Sequence, residues 1–228
     1  MTANRSAFPS PALIRLAGAA YLVIFVCGIF AEFGVRQRLI VPGDAAATAA
    51  AVSAAETLFR RAMAAELVML LADVFLAAVI YVLLRPVHRT LAALAGALRL
   101  VHAAVVAAGL LQLFLALKLA GAADPVVSGQ ALTHLETHAF GYAAGLVFFG
   151  LHCLVLGGLI LRSALVPRIL GGLLVLAGAG YLIDGFANTL LTDYAARAEL
   201  FQTIVFVPAF VGELAFCLWL LVKGAREP

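Results

Sequence analysis

Charge is the scarcest feature of this sequence. Asp, Glu, Lys and Arg make up 12% of its 228 residues, where a soluble domain carries about a quarter. Apolar residues reach 65%, against about 45–50% in soluble proteins, and mean hydropathy is +1.11. A water-soluble globule is excluded and the class is integral membrane protein. Cysteine is also sparse. Cys27, Cys153 and Cys217 each fall in an apolar stretch and form no C-x-x-C, so neither a disulfide nor thiolate-bound zinc is expected. Basic runs are missing too. The net charge is +3 and the pI near 9.0, but the cations are scattered at helix ends. That excludes a nucleic-acid surface and falls short of the roughly four to eight clustered cations of an anionic-lipid patch. There is no Gly-rich phosphate loop, nucleophile elbow or nucleotide fingerprint, and the two halves show no repeat of the kind many transporters carry.

What the chain has is long apolar runs. Six spans are predicted, Leu13–Val35, Leu58–Leu84, Leu91–Ala120, Thr133–Leu161, Arg168–Leu191 and Leu200–Val222. Each meets the need for about 20 apolar residues, and each must be a helix, because lipid cannot satisfy open strand edges. The first run exceeds the roughly 7–15 residues of a signal-peptide core and reads as a retained span. The expected fold is therefore all-α: a bundle of six transmembrane helices forming one domain over 1–228. The basic turns Arg85–Arg89 and Arg162–Arg168 are short and weigh most in the positive-inside rule, giving N-in and C-in. Arg5, Arg15, Lys223 and Arg226 join them on the inner side, with Glu227 opposing. Arg36, Arg38, Arg60, Arg61, Lys118 and Arg197 fall on the other. Pro42-Gly43-Asp44 and the alanines that follow predict a turn and a short surface helix capped by Asp44, either a cover or a spacer. Ser53-Ala-Ala-Glu56 has the form of a capping box before the second span. Asp124-Pro125 is read as a break between spans three and four. The pairs Gly141/Gly145, Gly157/Gly158 and Gly171/Gly172 are read as close-packing positions.

Against this apolar background, ionisable residues inside the spans are costly and point to function or to ion pairs. A rise of about 1.5 Å per residue sorts them into layers. An inner layer holds Asp73, Arg99, His102, His152 and Glu213; an outer layer holds Glu32, Glu66, His138, Asp184 and Asn188. Asp73 and Arg99 are nearly equidistant from the turn around Val87, so an antiparallel hairpin sets them side by side as an ion pair. Glu66, Asp184 and Glu213 are then left without an evident basic partner. Burial disfavours an unpaired charge, so acids are protonated, histidines are charged, or a cation is bound. Tyr21, Tyr142 and Tyr181 are candidate donors, Gln202 shares a face with Glu213, and Pro208 is expected to free a carbonyl near Glu213. His134 and His138 stand at i and i+4, a metal-ligand spacing that makes a divalent cation an open reading. His138 and His152 are about 21 Å apart along one stripe, which excludes a shared metal; the spacing resembles paired haem ligands, and His102 could face His152, but the outer layer has no second histidine outside the fourth span, so haem is not expected.

Several stretches resemble a known family. They are G-I-F-A-E-F (Gly28–Phe33), L-I-V-P-G-D (Leu39–Asp44), H-A-F-G-Y through G-L-V-F-F-G-L-H-C (His138–Cys153), Y-L-I-D (Tyr181–Asp184) and G-E-L-A-F-C-L-W-L (Gly212–Leu220). Together they are similar to the bacterial membrane family known as domain of unknown function 4386. The resemblance implies a small polytopic membrane protein and brings no catalytic roles. The expectation from the residues is an outer site, enzymatic or ligand-binding, with Glu32, His138 and Asp184 as candidate catalytic groups beside Glu66. Its ligand would be a small molecule or lipid. A proton-coupled transporter using both layers, or a structural protein locked by Asp73–Arg99, are the rivals.

Overall fold

The computed structural model describes residues 9–163 and 165–223, with the side chains of Gln202, Phe206 and Lys223 excepted. Arg5, Arg226 and Glu227 lie outside the described residues, as do the side-chain positions expected of Gln202 and Lys223. Among the described residues there is helix and no strand. In order they form α1 (Pro11–Ile29), a π-helical stretch (Phe30–Arg36), α2 (Gln37–Leu39), α3 (Ala45–Ala54), α4 (Glu56–Leu84), α5 (Arg89–Ala120), α6 (Pro125–Arg162), α7 (Arg168–Leu190) and α8 (Tyr194–Lys223). Six helical spans are long and apolar enough to cross a membrane, the first being α1 through α2, Pro11–Leu39. The protein is a multi-pass helical membrane protein.

The helix ends follow from local chemistry. Pro11 opens α1, where its missing N–H costs nothing, and Leu13 N–H donates to Ser10 Oγ at 3.3 Å. Gly43, at φ +75°, takes the left-handed conformation of the following turn. Ala47 N–H then donates to Asp44 Oδ1 at 2.8 Å to cap α3, and Thr48 bonds both the N–H and the carbonyl of Val41. Ser53 does not cap α4. It lies in the last turn of α3, while Glu56 pairs with Arg60 at 2.8 Å; the two helices break only at Ala55, leaving no free N-terminal turn for a capping box. Asp124-Pro125 also differs from expectation. It starts α6 well before Thr133, with Pro125 as the first helical residue and Val126 N–H donating to Asp124 Oδ1 at 2.8 Å. The dipeptide that ends one element caps the next.

The contacts divide the chain into two compact units. The first is built from residues 9–22, Asp73–Ala103 and 143–223; the second from Val23–Ala72 and Ala104–Tyr142. In the second unit α3 is docked rather than loose. Its Ala49 and Val52 pack with Phe59, Leu113, Leu117 and Leu135 from α4, α5 and α6. In the first unit a glycine seam joins α6 to α7. A Cβ at Gly157 would stand 2.6 Å from Gly171 O, and one at Gly178 would stand 2.6 Å from Gly150 O. The seven-residue spacing from Gly150 to Gly157 matches that from Gly171 to Gly178, so the backbones touch at two levels, as small residues allow in membranes. Gly141, Gly158 and Gly172 meet nothing within 4 Å and are not close-packing positions. Pro208 cannot bond back to Ile204, and that carbonyl faces Gly180 of α7 rather than Glu213.

Candidate functional site

The second unit holds a buried network of charged groups. It begins in the π-helical stretch. Along an α-helix, residues five apart lie about 140° round from each other; here Gln37 N–H reaches Glu32 O, the i to i+5 bond of π winding. Glu32 is thereby flanked by both Arg36 and Gln37. Arg36 Nε donates to Glu32 Oε2 at 2.9 Å and Gln37 Nε2 to Glu32 Oε1 at 3.3 Å. The same winding turns Arg36 inward, to 5% exposure, where Nη1 donates to Glu66 Oε2 of α4 at 2.5 Å. The other oxygen of Glu66 is 3.0 Å from His138 Nε2 of α6. Gly109 of α5 makes room for that imidazole: a Cβ there would lie 3.1 Å from its Cδ2. Glu66 and His138 are buried, while the Glu32 side chain remains 43% exposed. The result is a chain Glu32–Arg36–Glu66–His138 running from an accessible carboxylate to a buried imidazole. With a neutral imidazole it has a formal charge of −1, two carboxylates against one guanidinium.

The first unit holds a second network, to which all six spans contribute. Arg99 of α5 is fully buried, and its Nη2 lies 2.6 Å from Asp73 Oδ1 of α4. His152 of α6 stands with Nδ1 2.7 Å from Ala95 O and Nε2 3.3 Å from Arg99 Nη1. The tautomer with the proton on Nδ1 satisfies both: Nδ1–H donates to the carbonyl and Nε2 accepts from the guanidinium. The rings of Tyr21 and Phe149 lie 5.1 and 5.0 Å from the Arg99 guanidinium carbon, within cation–π range. Tyr21 of α1 and Tyr181 of α7 donate to the two oxygens of Glu213 of α8, at 2.8 and 2.6 Å. This cluster too has one carboxylate more than it has guanidinium groups.

Several expectations are corrected. Glu66 does not lack a basic partner; Arg36, assigned from its place at a helix end to the aqueous side, is its partner. Glu213 and Asp184 meet phenols instead of cations, Asp184 accepting from Tyr194 Oη at 2.7 Å. Of the trio Glu32, His138 and Asp184, Glu32 and His138 join through Arg36 and Glu66 in the second unit, and Asp184 belongs to the first. His134 and His138 share a helix face but not a partner, because His134 Nδ1 pairs with Gln112 Oε1 at 2.7 Å. Among the described residues no three His, Cys, Asp or Glu side chains converge as a metal set. His152 has both ring nitrogens engaged and offers none to a haem iron. The groups missed by sequence reasoning are Arg36, Gln37 and Gly109. The faint signal for the first was its i, i+4 spacing from Glu32 at the end of an apolar run.

The comparisons place the chain among proteins without an assigned activity. A protein of Archaeoglobus fulgidus, described as an uncharacterized protein, is 29% identical over 154 residues, covering 68% of this chain and 78% of the relative. No solved structure matches. A family profile, domain of unknown function DUF4386, matches residues 16–224. The chain, a six-span helical membrane protein with two buried polar networks, belongs to the DUF4386 family.

Proposed function

We propose that Glu32, Arg36, Glu66 and His138 form an intramembrane ligand site for a small organic cation, an ammonium being the simplest. The observation that carries this reading is Glu66, at 1% exposure and bonded at once to Arg36 and His138. The network has one carboxylate more than it has guanidinium groups, and within a span that excess, nearest the half-exposed Glu32, is costly. A bound organic cation removes that cost. Glu32 is the group a ligand meets first, and Arg36 bridges the two carboxylates and offsets their mutual repulsion. The imidazole, oriented by a carboxylate, has the arrangement of a general acid–base pair. N-in and C-in topology in a bacterial inner membrane accompanies this reading, with the basic turns Arg85–Arg89 and Arg162–Arg168 inside.

The test is occupancy. Protein purified in native-lipid nanodiscs is extracted and its small molecules are profiled by mass spectrometry, beside Glu32→Gln and Glu66→Gln variants. A cationic molecule enriched on the wild type and depleted from both variants supports the site. The same profile on all three proteins overturns it.

A second reading, a proton-coupled transporter, is favoured by the cluster around Arg99 and Glu213. It has the same charge shortfall and draws one group or more from every span. That reading expects solute uptake by proteoliposomes to depend on an imposed proton gradient and to fall with Glu213→Gln.

A further inference from the structure

A cavity of about 410 Å³ lies in the first unit at the turn between α4 and α5, lined by Tyr81, Arg85, Pro86 and Arg89. We infer that this cavity is a binding site for a phosphate-bearing anion, such as the phosphate of an anionic phospholipid headgroup. Three observations converge. The lining has two guanidinium groups and a phenol and no acid, and among the described residues neither Arg85 nor Arg89 has an ion pair. The nearest acid along α4, Asp73, is committed to Arg99 at 2.6 Å. Both arginines are exposed, so the groove they line is open to a ligand arriving from the membrane surface.

The chemistry fits phosphate better than a lone carboxylate. Two guanidinium forks make parallel charge-assisted hydrogen bonds to phosphate oxygens, and the Tyr81 hydroxyl is a further donor. The turn joins two apolar spans, so it sits where lipid phosphates meet water, the level at which tyrosine is enriched. Sequence counting missed this because it sought a run of cations, whereas Arg85 and Arg89 converge from the two ends of a five-residue turn.

The test is retention of lipid by the purified protein in native mass spectrometry. Vesicles of phosphatidylglycerol are compared with vesicles of phosphatidylcholine, with and without millimolar inorganic phosphate. Selective phosphatidylglycerol adducts, weakened on the order of tenfold or more in Arg85→Gln/Arg89→Gln as two charged hydrogen-bonding groups are lost, support the site. If inorganic phosphate leaves the adducts in place, the lipid is the ligand; if it displaces them, free phosphate occupies the same cradle. Because both arginines also bear on topology, Arg85→Lys/Arg89→Lys keeps the charge while removing the forks, and a several-fold loss is expected there. Equal retention of the two lipids by the wild type, or adducts unchanged in the lysine variant, overturns the inference.

Discussion

Replacing Asp73 by Asn leaves the Arg99 guanidinium charged, fully buried and without the carboxylate it bonds directly, with Glu213 as the one acid remaining in the cluster. At an effective dielectric of about 20, unit charges about 4 Å apart attract by about 4 kcal/mol. Removing one member of a buried pair costs about 3–5 kcal/mol, since the survivor keeps its desolvation penalty. His152 Nε2 at 3.3 Å and the two ring faces remain, and an asparagine oxygen still accepts, so a value near the lower end, about 3 kcal/mol, is expected. On the scale of domains of this length, about 2–4 °C per kcal/mol, the melting temperature falls by roughly 6–12 °C. Thermal unfolding in nanodiscs, followed through the single tryptophan, Trp219 of α8, reports the first unit directly. The double variant Asp73→Leu/Arg99→Met removes both charges and should recover part of the loss, since no cation is left unpaired; Glu213 keeps its two phenols, while His152 Nε2 loses its donor. A single variant melting within about 2 °C of the wild type, or a double variant no better than the single, would refute the reasoning.

Two further outcomes follow from the same packing. Tyr181→Phe removes the 2.6 Å bond to a Glu213 that lies buried and is expected to lower stability by about 1–3 kcal/mol; Glu213→Gln, whose one amide oxygen accepts from one phenol while its N–H donates to the oxygen of the other, should cost less in the same unfolding assay. Gly178→Ala drives a Cβ to 2.6 Å from Gly150 O and should lower stability by about 1–3 kcal/mol through overpacking. Gly158→Ala, with open space around it, should raise stability by up to about 1 kcal/mol through helix propensity. Matching effects of the two alanines would show that the seam is not where the helices touch.

The six spans are legible in the sequence because lipid imposes one strong rule, a long apolar run with its hydrogen bonds closed inside the helix. Helix starts are less so, since apolarity marks where a helix meets lipid and says little about turns beyond it. α6 begins at Pro125, a turn or more into sequence read as a connection. Asp73 and Arg99 meet because they lie nearly equal distances from one turn, a geometric relation that survives errors of a residue or two. The pairing of Glu66 was hidden for the opposite reason. Arg36 reaches it through π winding, which no 3.6-residue periodicity reveals, and a cation at a span end is ordinarily read as a topology marker. Tyr21 and Tyr181, which bond Glu213, were legible as interior donors, whereas Tyr194 on Asp184 was not, since it stands at the very start of α8.

The central claim is that Arg36 turns inward to complete the Glu66–His138 pair. A double-mutant cycle on Arg36→Gln and Glu66→Gln, read by unfolding in nanodiscs, tests it most directly. The geometry predicts strong coupling, about 1.5–3 kcal/mol, with the double variant less damaged than the sum of the singles. Additive effects within about 0.5 kcal/mol would mean that the two side chains do not meet, and would contradict the account.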